Sequence, residues 1–196
     1  MLKTAVIGVG YLGRFHAQKL MSLPESELIG VVDINPEQGQ KISKELDVPF
    51  YLNFEPILNK VDAVTIAVPT AHHYPTAKAF LKNGVHVLLE KPFAETIYEA
   101  EELALIASDN KVILQIGHLE RFNPVFKKFQ NLISNPRFIE NIRIAPFPRR
   151  GTDVDVILDL MIHDIDLVLA VVGEFPETVE GIGVKFVTSS SVLAKA

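Results

Sequence analysis

The sequence predicts an open, doubly wound parallel α/β sheet, and three observations predict it. Short apolar runs of β-type residues alternate with helix-compatible runs from residue 4 to residue 116. The connections between them are short, which favours βαβ units over hairpins. Gly8, Gly10 and Gly13 form G-x-G-x-x-G where the first strand gives way to the first helix.

Residues 4–9 are the first strand, apolar throughout as for a strand buried on both faces. A helix follows over 12–21. Each glycine between them has its own physical reason. The first allows a tight turn, the second close backbone approach to a pyrophosphate, and the third close helix–strand packing. Unpaired N–H groups and a partial positive charge at the helix N-terminus attract the same phosphates. The second strand, 28–32, ends in Asp33, about 20 residues after Gly13, where a carboxylate accepts hydrogen bonds from an adenosine ribose. No Arg or Lys directly follows Asp33, so NAD is favoured over NADP. Asp33 could instead serve only the helix start at Asn35-Pro36.

That helix runs over 36–46, opened by Asn35 as cap and Pro36 in the first turn. Residues 48–52 are a third strand, and Asn53 caps a helical turn reaching Leu58. Residues 62–68 are a fourth strand, stopped by Pro69-Thr70. A helix over 75–83 ends at Gly84 as a left-handed terminator. Residues 85–89 form a fifth strand, 95–108 an amphipathic helix and 112–116 a sixth strand.

The pattern changes near residues 117–124, a polar connector. Beyond it the sequence predicts an amphipathic helix over 124–133, a strand over 137–145, a loop over 146–152 carrying Arg149 and Arg150, a very apolar helix over 154–172 and a strand over 178–189. Two domains follow from this division: 1–120 binding the dinucleotide, and 121–196 as the start of an α+β substrate and oligomerisation domain.

Composition narrows the functions available. The 48% hydrophobic fraction supports a sizeable core, while no apolar run approaches the roughly 20 residues of a membrane helix. A net charge of −5 leaves no basic footprint for nucleic acid. Zero cysteines exclude disulfides, thiolate metal sites and a cysteine nucleophile. The first strand begins at once, without the regions of a signal peptide, so the expected location is the cytoplasm.

Ligands of open α/β sheets bind at the carboxyl ends of the strands. Pro69-Thr70-Ala-His72-His73 follows strand four, where a loop can lie beneath a nicotinamide; only one of the adjacent histidines easily faces inward. Either could equally be a helix-start histidine in water. Glu90-Lys91-Pro92 follows strand five, and Pro92 biases Lys91 towards extended backbone. An ammonium there holds a substrate hydroxyl or relays a proton, unless it is a solvated lysine paired with Glu90. On the last helix, Asp155, Asp159, His163 and Asp166 fall on one face. Asp159 can orient the His163 imidazole as a general base. The same stripe could be a solvated face, or an Asp/His metal site that hydride transfer does not require.

Together, Gly8-Val-Gly-Tyr-Leu-Gly13, Pro69-Thr70, Glu90-Lys91-Pro92 and Asp159-x-x-x-His163-Asp164 resemble the Gfo/Idh/MocA oxidoreductases over nearly the whole chain. The resemblance implies a Rossmann domain, a second domain built on a large open sheet, and NAD(P)-dependent hydride transfer at a sugar or cyclitol carbon. It matches Lys91, Asp159 and His163 to the catalytic residues, and His73, not His72, to the histidine of the strand-four loop. The cofactor site it implies comprises Gly8, Gly10, Tyr11, Leu12, Gly13, Asp33, Pro69, Thr70, His73, Glu90 and Lys91, with no metal.

The segments 117–124 and 150–163 are similar to a nucleotide-sugar branch of that family, the UDP-N-acetylglucosamine 3-dehydrogenases. In that branch Arg121, Arg149 and Arg150 would serve a substrate pyrophosphate, for which a planar fork of donors is suited. Free sugars and inositols are the other substrates the family implies. Family members are considerably longer, so the chain is expected to stop short of a completed second sheet, and the full-length form to be a homo-oligomer. A catalytically silent dinucleotide-binding module and an inactive fragment are the competing expectations.

Overall fold

The computed structural model describes residues 1–144, 155–184 and 193–195. The chain divides into two compact units, Met1–Gly117 and His118–Ala196.

In the first unit six strands form one wholly parallel sheet: β1 (Leu2–Ile7), β2 (Ser26–Val32), β3 (Phe50–Tyr51), β4 (Ala63–Ile66), β5 (His86–Leu89) and β6 (Leu114–Ile116). Their spatial order is β3-β2-β1-β4-β5-β6. The order reverses between β1 and β4, and such a switch point opens a crevice at the carboxyl ends of the strands.

Side chains alternate across the sheet and feed two cores. Ala5 and Ile7 of β1 join Val64, Ile66, Val87 and Leu89 beneath α3 (His73–Lys82) and α4 (Ile97–Asp109), which contribute Ala77, Phe80, Leu81, Leu103 and Ile106. Val6 and Val9 point the other way. They meet Leu28 and Val31, with Ala17 of α1 (Tyr11–Ser22) and Ile42 of α2 (Pro36–Leu46). Burial on both faces accounts for near-continuous apolar strands.

Helix boundaries follow their signals. Asn35 Oδ1 accepts the N–H groups of Glu37 and Gln38, capping α2. Thr96 and Glu99 form a reciprocal capping box that starts α4 two residues later than the periodicity suggests. Gly84 adopts a positive φ of 75° just after α3, as a terminator requires.

In the second unit, α5 (Pro124–Gln130) is shorter than expected, and α6 (Ile162–Val172) is preceded by a wide π-type turn, Ile157–Met161. Two expectations are corrected. Residues 137–144 are not a strand: Phe138, Ile142 and Ile144 are exposed, and no partner strand among the described residues takes up their backbone. Within 178–184 only Ile182–Val184 (β7) is strand, paired antiparallel with β8 (Leu193–Lys195). Among the described residues, no helix is long and apolar enough to cross a membrane.

Candidate functional site

The glycine turn carries the geometry a pyrophosphate needs. Gly8 has φ +81°, which L side chains rarely adopt, and a Cβ on Gly13 would lie 1.8 Å from the Gly8 carbonyl oxygen. A Cβ on Gly10 would meet nothing within 4 Å. The two outer glycines are therefore demanded by the fold, whereas the middle one leaves an open approach. Gly10 is the N-cap of α1 and offers no side-chain cap to the first turn. Gln38 braces the loop by donating from Nε2 to the Val9 carbonyl at 2.6 Å.

Beside the turn is a cavity of about 510 Å³, lined by Gly10, Tyr11, Arg14, Asp33, Asn35 and Lys41 among others. Asp33 serves the helix start and also faces this cavity. Its Oδ2 accepts the Val9 N–H at 2.9 Å and its Oδ1 the Asn35 N–H at 2.8 Å, so it secures both α2 and the glycine loop. Each oxygen keeps further acceptor capacity for a ribose hydroxyl. Tyr11 and Leu12 are exposed in the first turn of α1. The residues present fit a dinucleotide: a turn only glycine can make, an open backbone approach and an acid at the ribose position.

At the ends of β4 and β5, Thr70 is buried, Pro69 is exposed, and Lys91 is half-buried between Glu90 and Pro92. Glu90 is almost wholly buried, and its Oε1 lies 2.6 Å from Nε2 of His16 on α1. Its Oε2 accepts the Lys91 N–H at 3.3 Å. Burial alone would push this carboxyl up. The His16 bond and charge, with the Lys91 amide and ammonium, outweigh burial and hold it below its ordinary value.

His73 is the inward member of the histidine pair, at 1% exposure, while His72 is exposed. Both ring nitrogens of His73 are engaged within the protein. Nδ1 lies 2.8 Å from the Pro92 carbonyl and Nε2 2.9 Å from the Val68 carbonyl, so both polar atoms of the ring serve the protein's own backbone.

The second unit brings other residues together. Arg121 directs Nε and Nη2 at the Asp166 carboxylate, at 2.6–2.9 Å, which holds the guanidinium above its ordinary value. Arg143 directs Nε and Nη2 at one oxygen of Asp164, Oδ1, at 2.9 and 2.8 Å. Asp155 is a cap, its Oδ1 accepting the Ile157 and Leu158 N–H groups. The uniform stripe expected from 155 to 166 is thereby corrected: one end caps the helix, and the other is buried against Arg121. Asp159 lies in the π-type turn and His163 at the start of α6. Arg149 and Arg150 fall outside the described residues. Among the described residues, no group of three or more His, Cys, Asp or Glu side chains could hold a metal ion.

A family model described as "Oxidoreductase family, NAD-binding Rossmann fold" matches residues 2–118. The chain belongs to the Gfo/Idh/MocA oxidoreductase family. Among curated members, the UDP-N-acetylglucosamine 3-dehydrogenase of Acidithiobacillus ferrooxidans is 41% identical over 196 residues, covering 100% of this chain and 62% of that protein. A solved structure of that enzyme superposes with a TM-score of 0.91 at 41% identity, over 98% of this chain and 61% of the other. The scyllo-inositol 2-dehydrogenase (NAD(+)) of Bacillus subtilis is 26% identical over 198 residues, covering 93% of this chain and 57% of its own length. The chain thus spans about three fifths of these Gfo/Idh/MocA relatives.

The contacts that sequence reasoning missed are His16 with Glu90, Gln38 with the Val9 carbonyl, Arg121 with Asp166 and Arg143 with Asp164. His16 carried a usable signal. It shares the inward face of α1 with Gly13, Ala17 and Leu20, where a lone histidine calls for a buried partner.

Proposed function

We propose that this chain carries the cofactor-binding and proton-transferring parts of an NAD-dependent dehydrogenase that oxidises a secondary alcohol of a nucleotide sugar. UDP-N-acetylglucosamine, oxidised at carbon 3, is the substrate that suits it best. The observation that carries the reading is the glycine turn: its outer glycines are fixed by sterics, its middle one is open, and Asp33 faces the cavity beside it. The 41% identity to the UDP-N-acetylglucosamine 3-dehydrogenase supports the choice of substrate.

In this reading the α1 N-terminus and Gly10 hold the pyrophosphate, and Asp33 holds the adenosine ribose. A carboxylate there disfavours a 2′-phosphate, which favours NAD over NADP. NAD, when bound, supplies a hydride acceptor at nicotinamide C4. His163 takes the substrate hydroxyl proton with Asp159 orienting its ring, and Lys91 assists as a hydrogen-bond donor to substrate. Arg121, Arg149 and Arg150 serve the substrate pyrophosphate, Arg121 with the donors that Asp166 leaves over.

The test is NADH formation by the chain across UDP-sugars, free sugars and inositols, with NAD and NADP compared. The expected result is turnover with NAD on a UDP-N-acetylhexosamine. NAD binding without turnover on any alcohol would identify a silent dinucleotide module instead. Turnover confined to inositols would shift the substrate to the class of the Bacillus subtilis relative.

A further inference from the structure

His73 presents a problem that a histidine at a helix start in water would not. The ring is at 1% exposure, and each nitrogen faces a backbone carbonyl, a group that only accepts. The neutral ring can satisfy one of them at a time and the protonated ring both. A buried polar side chain placed this way exists for the two groups it joins.

Those two groups belong to neighbouring strand ends. β4 and β5 pair in parallel from Ala63–His86 to Ile66–Leu89, and the Glu90 N–H continues the ladder onto the Ile66 carbonyl at 3.0 Å. Beyond that point His73 spans the gap from Val68 to Pro92. Val68 directly precedes Pro69 and Thr70, and Pro92 directly follows Lys91. The imidazole thus pins the backbone immediately before one candidate nicotinamide loop and immediately after the candidate catalytic lysine.

We propose that His73 is a positioning residue that clasps the loop after β4 to the loop after β5, fixing the floor on which the nicotinamide half of the dinucleotide lies. The inference rests on the dinucleotide reading above. It predicts a split that a general packing role would not produce. The adenosine diphosphate half is served by the glycine turn and Asp33, so it is indifferent to His73.

The experiment measures the affinity of the intact chain for NADH and for ADP-ribose, which lacks only the nicotinamide. Wild-type chain is compared with His73→Leu, His73→Asn and His73→Gln. Asn keeps a donor on the Nδ1 side, towards Pro92, and Gln keeps one on the Nε2 side, towards Val68. In His73→Leu the NADH affinity is expected to fall about ten-fold, the scale of one or two lost hydrogen bonds, with ADP-ribose binding unchanged within about two-fold. Asn and Gln are expected to fall between, each rescuing part of the loss. Should His73→Leu not fold, the same ratio is read from Asn and Gln alone. Equal weakening of both ligands, or of neither, overturns the positioning role. Failure of the wild-type chain to bind either ligand overturns the dinucleotide reading itself, and is seen before any variant is made.

Discussion

His16 and Glu90, 74 residues apart, meet at 2.6 Å between the imidazole Nε2 and a carboxylate oxygen, in a site where the carboxylate is almost wholly excluded from water. The pair joins the helix that begins at the glycine turn to the strand end that carries Lys91. A Cβ on Gly117 would come within 3.0 Å of the same carboxylate, so the end of β6 closes over it. The acid is thus a bolt between three elements around the crevice.

Glu90 therefore makes stability depend on acid. Its carboxyl is held below the ordinary value in the folded chain, so the stabilisation is fully present above the unfolded value of about 4.3 and is lost as pH falls through the lower folded one. Glu90→Gln is expected to lower the melting temperature at pH 7. The gap to wild type should close as the pH is taken below about 4. Thermal melts of the two proteins at several pH values check this; a gap that is constant with pH would show that Glu90 acts by packing alone.

Gly13 and Gly10 of the turn should respond in different ways. Gly13→Ala forces a methyl against the Gly8 carbonyl at 1.8 Å, where neither backbone can yield easily, and should destabilise the first unit by about 3 kcal/mol or more. Gly10→Ala meets nothing within 4 Å and should cost no more than about 1 kcal/mol, mostly through the N-cap. If the pyrophosphate approaches at Gly10 as proposed, the methyl stands in its way and NADH affinity should drop at least about ten-fold. Denaturant melts and NADH titration of both variants separate the two effects.

Much of this architecture was legible in the chain because the first 116 residues repeat one rule. An apolar run of strand length, a short turn and an amphipathic helix identify a βαβ unit without any long-range information. Asn35-Pro36 and Gly84 marked helix ends correctly because their effects are local. Lost were relationships that sequence spacing does not encode. The run at 137–144 has strand composition, yet a strand exists only where a neighbour pairs with it. Asp155, Asp159, His163 and Asp166 read as one stripe because helical periodicity says nothing of the Asp155 cap or of Arg121, which takes Asp166. His73 is recognisable as a candidate from its loop, whereas the partners of its ring, the Val68 and Pro92 carbonyls, are contacts that only the packed strand ends create.

The Arg121–Asp166 pair makes a prediction that bears on substrate recognition. Asp166 is buried, so Arg121→Ala leaves a carboxylate there without its fork of donors, with an expected loss of about 2–3 kcal/mol in the stability of the second unit. Arg121→Lys should recover less than half of that, because an ammonium cannot span both oxygens. Pairing Arg121→Ala with Asp166→Asn should restore much of the stability, since no buried charge is then left over. If nucleotide-sugar affinity is restored along with stability in the double variant, Arg121 has no direct part in binding the pyrophosphate.

His163 stands two residues after the end of a π-type turn, and such turns widen a helix and re-aim the side chains beside them, often at functional sites. If the ring takes the hydroxyl proton, His163→Ala should reduce kcat by about 10²–10⁴-fold, the range that a positioned base contributes. NADH affinity should stay within a few-fold, because the glycine turn and Asp33 are untouched. Asp159→Asn should lower kcat by a smaller factor, since it alters the orientation of the base but does not remove it. Steady-state kinetics on the nucleotide sugar, paired with NADH titration of each variant, decide the matter. Parallel loss of turnover and cofactor binding in His163→Ala would assign the histidine to holding the fold.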